Sequence, residues 1–331
     1  MTAPSVPTGP QGLGDRLARG IDTVLDRTVV LGYTAAGHAI RRRLPTWPDD
    51  PLPGALEGRH VVVTGASSGL GLRTAVDLAG LGAHVHLLVR DPARAVPVEA
   101  AIDATDRGGH RTWRCDLADA QSIRDCADRL VAQVPALHAV VHNAGILPAT
   151  RQTDAAGHEL TMAVHVLGPI LLTQRLLPAL AGHDARVVFV TSGGMYTQAL
   201  ELDDLDYHEE PFRGAVAYAR SKRAQVELLP ILQRRWAGAD LAVYATHPGW
   251  AQSPGVTSSL PLFARITGPV LRRGDAGVDT TTWLVAAQPR PEGGRLWHDR
   301  RVRPTNYLTR TRTTTADRER LWDWVSGELA G

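Results

Sequence analysis

With 36 basic and 34 acidic side chains among 331 residues, the formal net charge is only +2, so charge gives no ground for a nucleic-acid partner. At 44% hydrophobic and 21% charged, the chain has enough apolar content to bury a core, which excludes general disorder. Its two cysteines, Cys115 and Cys126, are too few for a disulfide framework or a Cys-based zinc site and read as partly buried thiols.

Residues 1–14 are rich in Pro, Gly, Ser and Thr, so no ordered element is expected there. They lack a positive region followed by an apolar one, and no run of about eighteen apolar residues occurs, so neither a secretory signal nor an integral membrane span is expected. A reducing, cytoplasmic location is the expectation. Between 15 and 43, Val24, Leu25, Val29, Val30 and Leu31 alternate with charges before Arg41-Arg42-Arg43, the one tight basic run. One or two short amphipathic helices are expected, packed on their own domain; a partner subunit or a membrane surface is the other use of such a segment. A Pro-rich linker follows at 45–53. The expected division is an extension and linker over 1–56, a main domain over 57–310 and a C-terminal helix over 311–331.

From residue 59 strands and helices alternate. HVVVTG (60–65), HVHLLV (84–89), HRTWRC (110–115), LHAVVH (137–142), RVVFVT (186–191) and LAVYAT (241–246) are strand candidates. Helical stretches separate them at about 70–81, 119–133, 156–181 and 216–237. A short strand near 294–297 and a polar helix over 315–329, with Leu321, Trp324 and Val325 on one side, complete the pattern. Apolar strands without strict alternation are buried on both faces. The expectation is therefore an α/β, three-layer Rossmann-type doubly wound parallel sheet in a single domain, with an N-terminal helical extension.

The first strand ends in Thr64-Gly65-Ala66-Ser67-Ser68-Gly69-Leu70-Gly71. A strand, a Gly-rich turn and a helix start make an anion site, because N–H groups at the helix end point outward and the dipole favours negative charge. Alone, such a turn only connects two elements; after the first strand of an alternating pattern it predicts a dinucleotide pyrophosphate site. The second strand ends Leu88-Val89-Arg90-Asp91. An apolar Val89 stands where an acid would bond the ribose, and the Arg90 guanidinium suits a 2′-phosphate, so NADP(H) is the expected cofactor. In the other reading Arg90 only caps the loop and Asp91 takes the ribose.

These strings, with CDL (115–117), HNAG (142–145), TSGG (191–194), YARSK (218–222) and HPGW (247–250), resemble the short-chain dehydrogenase/reductase family over roughly 57–300. Within it, SGGM (192–195), YARSKRAQV (218–226) and HPGWAQSPGV (247–256) resemble the dehydrogenase/reductase family member 12 group. The resemblance implies that Gly65, Ser67, Ser68, Gly69, Leu70 and Gly71 cradle the cofactor, with Asp116 and Leu117 beside the adenine. Asn143, Ala144 and Gly145 would lie beside the cofactor, and Pro248 and Gly249 would flank the nicotinamide. Ser253 would stand for the threonine that often contacts the carboxamide, and Trp250 would floor the substrate pocket or pack in the core. It also implies a homo-oligomer paired through the helices at 156–181 and 216–237.

Tyr218 and Lys222 are four apart on a predicted helix and share a face. A nearby ammonium favours phenolate, so Tyr218 can exchange a proton with a substrate oxygen that Ser192 polarises, and Lys222 would also bond the nicotinamide ribose. The family usually places an Asn, which helps hold a water on the lysine, where this chain has His165; an imidazole can keep such a relay or be a mere spacer. The stretch 201–212 reads as an inserted polar loop near the pocket, and 253–275 as a substrate loop. His247 reads as structural. The thirteen histidines, including His138 and His142 on one strand, show no metal-ligand spacing, so no metal is expected. The leading expectation is an NADP(H)-dependent oxidoreductase acting on a carbonyl or secondary alcohol. Val256, Leu260, Leu262, Phe263 and Ile266 in the substrate loop imply a largely apolar small molecule. A non-redox isomerase, dehydratase or epimerase, or a cofactor-sensing binding protein, are the other classes open to the same fold.

Overall fold

The computed structural model describes residues 13–28, 30–107, 109–208, 211–251, 271–272 and 274–330. Ser253 and the apolar residues expected to line a substrate loop lie outside the described residues. Three helices open the fold: α1 (Leu13–Arg27), α2 (Val30–Tyr33) and α3 (Ala35–Arg41). One or two were expected. The extra break falls at Thr34, whose hydroxyl accepts from the Gly37 N–H and restarts the helix as its N-cap.

An eight-stranded sheet in the order β3-β2-β1-β4-β5-β6-β7-β8 carries the rest. The strands are β1 (His60–Thr64), β2 (His84–Val89), β3 (Gly109–Arg114), β4 (Ala139–His142), β5 (Ala185–Val190), β6 (Leu241–Thr246), β7 (Arg295–His298) and β8 (Arg301–Val302). All neighbours are parallel except β7 and β8, a short antiparallel pair that was not expected. Helices α4 (Gly69–Gly80), α5 (Val96–Asp103), α6 (Ala120–Gln133), α7 (Leu160–Leu180), α8 (Gly214–Arg235), α9 (Asp275–Ala286) and α10 (Thr315–Ala330) cover both faces. Alternate residues of each strand serve opposite cores, as the pleat requires. Val62, Val140 and Val187 face α6, α7 and α8, whereas Val61, Val141 and Val188 face α4, α5 and α9. The helix after β1 lies on one face and the helix after β4 on the other, so a crevice opens between the C-terminal ends of these two strands.

By length and composition α7 could cross a membrane, but 78% of its apolar window is buried inside the fold. Helix α8 is also buried on most sides. Its outer face is covered by α10, through buried Leu321, Trp322 and Val325 and an Arg318–Glu227 ion pair of 2.8 Å. A homo-oligomer built on α8 would have to displace α10. On α10 Trp322 is buried in the core as well, while the expected Trp324 packs partly buried against it and meets the His158 ring edge-on.

The N-terminal helices are fastened by a buried knot of charge. Arg41 donates to Asp22 at 2.8 Å and to Asp299 at 2.6 Å; Arg272 makes two bonds to Asp299, and Arg303 makes two to Asp22. Arg303 also lies 3.6 Å from Asp26. Arg41 and Arg272 both donate to the Gly32 carbonyl, at 2.7 and 2.9 Å. Three guanidinium groups thus balance three carboxylates, all six side chains buried. Burial alone would raise the Asp299 carboxyl, but the neighbouring cations, Arg272 and Arg41 among them, hold it well below the ordinary value of 3.8. Burial likewise opposes ionisation of Asp22, and Arg303, Arg41 and Arg301 still pull it down.

A carboxyl whose folded-state pKa is depressed stabilises the fold above its unfolded value, and that contribution fades as the pH falls below about 3.9. Asp299→Asn leaves buried Arg272 without its carboxylate and Arg41 with Asp22 alone, and we expect it to cost about 3–5 kcal/mol in urea unfolding at neutral pH. The gap between variant and parent should close on acidification. A loss under about 1 kcal/mol would refute the role given to the knot.

Candidate active site

The crevice is braced before any ligand enters. The Thr64 hydroxyl accepts from the N–H groups of Asn143 and Ala144, both at 3.1 Å, and so ties the end of β1 to the end of β4. Asn143 Nδ2 donates back to the carbonyls of Thr64 and Gly65. Gly65 has φ +64°, and a Cβ there would lie 2.7 Å from Ala144 Cα, so only glycine lets the two strand ends approach. A Cβ on Gly71 would lie 2.3 Å from the Gly65 carbonyl, which sets how closely α4 seats on the turn.

Ser68 stands at the N-cap of α4 yet makes no side-chain cap, so the first N–H groups of the helix have no acceptor among the described residues. That end of a twelve-residue helix is an anion site. Val89 is buried, while Arg90 is exposed and forms no hydrogen bond or ion pair with another described residue. Asp91 is engaged: its carboxylate caps the following turn by accepting from Ala93 N–H at 3.1 Å. Open helix N–H groups beside an unpaired guanidinium fit a dinucleotide with a charged ribose. Asp116 accepts from Ala118 N–H and its own N–H donates to Ser122, leaving Leu117 buried at the turn after β3.

Three groups meet at the ends of β5 and α8. Ser192 follows β5; its hydroxyl accepts from the Gly194 N–H at 3.2 Å and lies near enough to the Tyr218 phenol to favour its ionised form. Tyr218 is half-buried, and burial raises its pKa, opposed by Ser192. Lys222 is buried one turn further along, and its ammonium lies 5.7 Å from the centre of the Tyr218 ring and donates to the Val190 carbonyl at 2.8 Å. Burial pushes Lys222 down to about 7. Its backbone carbonyl accepts from the Thr191 hydroxyl, which locks α8 to the end of β5.

His165 lies inside α7, in a wider turn over Ala163–Leu167. Pro169 has no N–H to give the carbonyl four residues back, so that turn cannot close in the α pattern. The freed His165 carbonyl instead accepts from Gln225 Nε2 at 2.7 Å. The ring is fully engaged. Its Nε2 accepts from Ile146 N–H at 3.0 Å, which leaves the proton on Nδ1, facing Ser221 Oγ at 2.8 Å; Ser221 in turn donates to the Tyr218 carbonyl. Burial, then Lys222, keeps the imidazole neutral. A ring relay to Lys222, weighed from the sequence, is thus not the arrangement found: the ring packs edge-on against Tyr218, 5.4 Å between centres, and bonds neither the phenol nor the ammonium. Gly145 lies beside His165, where a Cβ would sit 3.4 Å from Nε2.

Pro248, Gly249 and Trp250 follow β6. The Trp250 N–H donates to the Tyr33 carbonyl at 2.9 Å, and Arg272 Nε donates to the same oxygen at 3.0 Å. Gly249 has φ +74°, and a Cβ there would lie 2.5 Å from Arg272 Nε. His247 is interior: it stacks on His298 at 3.9 Å, with Tyr33 edge-on to both. Tyr33, Arg272 and Gln225 escaped the sequence reading, since a lone Tyr in a short helix carries no chemical pattern. Of the stretch 201–212, residues 201–208 fold against 151–159, where Arg151 donates to the Tyr207 carbonyl and Asp206 accepts from Glu159 N–H.

A histidine trio was also missed. His60 and His84 are in register on β1 and β2 and His86 is on the same face, which brings one ring nitrogen of each within 4.8 Å of the others. Each begins or nearly begins a strand, which was the available signal. His86 Nδ1 accepts from Trp113 Nε1–H at 3.0 Å, so its proton sits on Nε2 and points at His60 Nδ1, 3.0 Å away. That tautomer makes His60 and His86 a hydrogen-bonded pair, with the His84 ring 5.2 Å from both, at the far end of the sheet from Tyr218.

A family model for short chain dehydrogenase matches residues 59–261. The bovine protein named dehydrogenase/reductase SDR family member 12 is 37% identical over 90% of this chain and 94% of its own length. Human retinol dehydrogenase 12 is 33% identical over 83% and 87%. A short chain dehydrogenase of Shigella flexneri, solved in complex with NADP, superposes with a TM-score of 0.59 at 26% identity, over 74% of this chain and 98% of that one.

His165→Asn keeps one acceptor and one donor near Ile146 N–H and Ser221, whereas His165→Leu leaves both unsatisfied. We expect the leucine variant to lose about 1–3 kcal/mol of stability for each stranded group. Its turnover should fall with it, while the asparagine variant stays near the parent in both. Equal loss in the two variants would refute the bridging role.

Proposed function

Because the chain belongs to the short-chain dehydrogenase family of oxidoreductases, we propose that it is an NADP(H)-dependent enzyme that interconverts a carbonyl and a secondary alcohol. The observation that carries this reading is the meeting of Ser192, Tyr218 and Lys222 at one end of the sheet, beside the crevice whose rim holds Arg90. Bound nicotinamide would supply or accept the hydride. Gly65–Gly71 and the α4 N-terminus would hold the pyrophosphate, and Arg90 the 2′-phosphate. Lys222 would hold the ribose, and Pro248–Trp250 would flank the ring.

The chain's own groups handle the proton. Burial raises Tyr218, so the phenol keeps its proton near neutral pH and serves as a donor to a carbonyl oxygen. Ser192 bonds the same oxygen and disperses the charge that develops on it. Lys222, near 7, lies over the phenol ring and favours the phenolate left behind. Reduction is therefore the direction this geometry suits at neutral pH. An apolar substrate agrees with the retinoid named in one relative and the apolar residues following Trp250 in the sequence.

Two experiments test this reading. Tyr218→Phe should abolish turnover of a carbonyl panel while NADPH binding, read by fluorescence, persists; in the parent, reduction should decline as the pH rises and alcohol oxidation should grow. Retained turnover would remove Tyr218 from the mechanism. Arg90→Ala should weaken NADPH binding about tenfold or more, the worth of a charge-assisted bond, and leave NADH binding nearly unchanged. Equal effects on the two cofactors would overturn the assignment to NADP(H).

A further inference from the structure

We propose that α1 is a membrane-docking helix that seats the protein on a bilayer bearing anionic headgroups. Its outer side carries Leu13, Leu17, Ile21 and Val24, exposed at 86%, 67%, 36% and 61%. At 3.6 residues per turn these four fall within an arc of about 80°. A soluble helix turns such an arc inward; here the core takes the other side, through Ala18, Asp22, Leu25 and Asp26. Leu31 on α2, 57% exposed, adds a further apolar side chain.

The charges around the stripe decide what it fits. Arg16 and Arg27 are exposed along one shoulder of the arc, Arg19 is exposed further round beyond them, and no described carboxylate pairs with any of the three. Arg42 and Arg43 add exposed positive charge at the end of α3, Arg42 with Asp50 3.6 Å away. Asp22 and Asp26 of the same helix point inward and are consumed by the buried knot. Asp15, half-buried, is on the side opposite the stripe. The exposed surface of α1 is thus apolar flanked by cations, the pattern that inserts at the headgroup boundary of an anionic bilayer. A second copy of this chain would bring arginine against arginine across the stripe, whereas phosphate headgroups supply the missing negative charge. The knot also makes the surface rigid, because α1 cannot peel away without stranding Asp22. The proposal is independent of the redox reading, since docking needs no turnover.

The test uses the full chain and co-sedimentation with vesicles of phosphatidylcholine alone or mixed equally with phosphatidylglycerol. The parent should sediment with the anionic vesicles and stay largely in solution with the neutral ones. Leu17→Glu with Val24→Glu, both exposed, should weaken the binding about tenfold or more without altering the thermal unfolding midpoint. Arg16→Ala with Arg19→Ala and Arg27→Ala should weaken it too and reduce its sensitivity to salt. A parent that ignores anionic vesicles overturns the proposal, as does a Leu17→Glu, Val24→Glu variant that binds as the parent does. A parent that sediments as a dimer in velocity ultracentrifugation and becomes a monomer in that variant assigns the stripe to a second copy and overturns it equally.

Discussion

Three arginines and three aspartates buried together leave the molecule little freedom. Arg41, Arg272 and Arg303 are buried, so each must find its carboxylate, and Asp22 and Asp299 serve two arginines apiece. The same cations then claim the Gly32 and Tyr33 carbonyls, and the Tyr33 carbonyl also takes the N–H of Trp250. A line of hydrogen bonds therefore runs from an N-terminal helix to the loop after β6. Such a network adds little stability relative to an apolar core of equal volume, but it admits one arrangement of its members. The conformation of Pro248-Gly249-Trp250 is inherited from that single arrangement.

The site shows how a departure from family pattern is accommodated. Pro169 forces a wide turn in α7 and frees one carbonyl; Gln225, at the middle of α8, reaches across and donates to it. The imidazole of His165 then joins three separate segments, through Ile146, Ser221 and the ring of Tyr218. A neutral ring suits this place beside Lys222, because a second cation there would oppose the ammonium.

The parallel sheet was legible because its strands are β-branched runs spaced by helical periods, and because a buried strand has one solution for its backbone. The Gly-rich turn, Ser192, Tyr218 and Lys222 were legible because their chemistry depends on residue type and local spacing. What stayed hidden depends on contacts far apart in sequence. Nothing near Tyr33 announces Trp250, and Arg41 meets a partner 258 positions away. The π-type turn at His165 was hidden for a different reason: Pro169 was visible, but the acceptor it would free depends on which residue of α8 lies opposite. The His60, His84 and His86 trio needed the register of β1 on β2, which periodicity alone does not fix.

The closure of Arg41 on Asp299 also sets a schedule for biosynthesis. The N-terminal helices are made before the groups that hold them, Arg272, Asp299 and Arg303; Arg41 waits for a partner 258 positions later in the chain. Until then Asp22 and Arg41 stay solvated and the sheet can assemble strand by strand without them. The loop that carries Trp250 acquires its fixed backbone only when these early helices and the later arginine-bearing segment meet. A nascent chain stalled before residue 299 would hold most of its sheet and none of the finished backbone around Trp250.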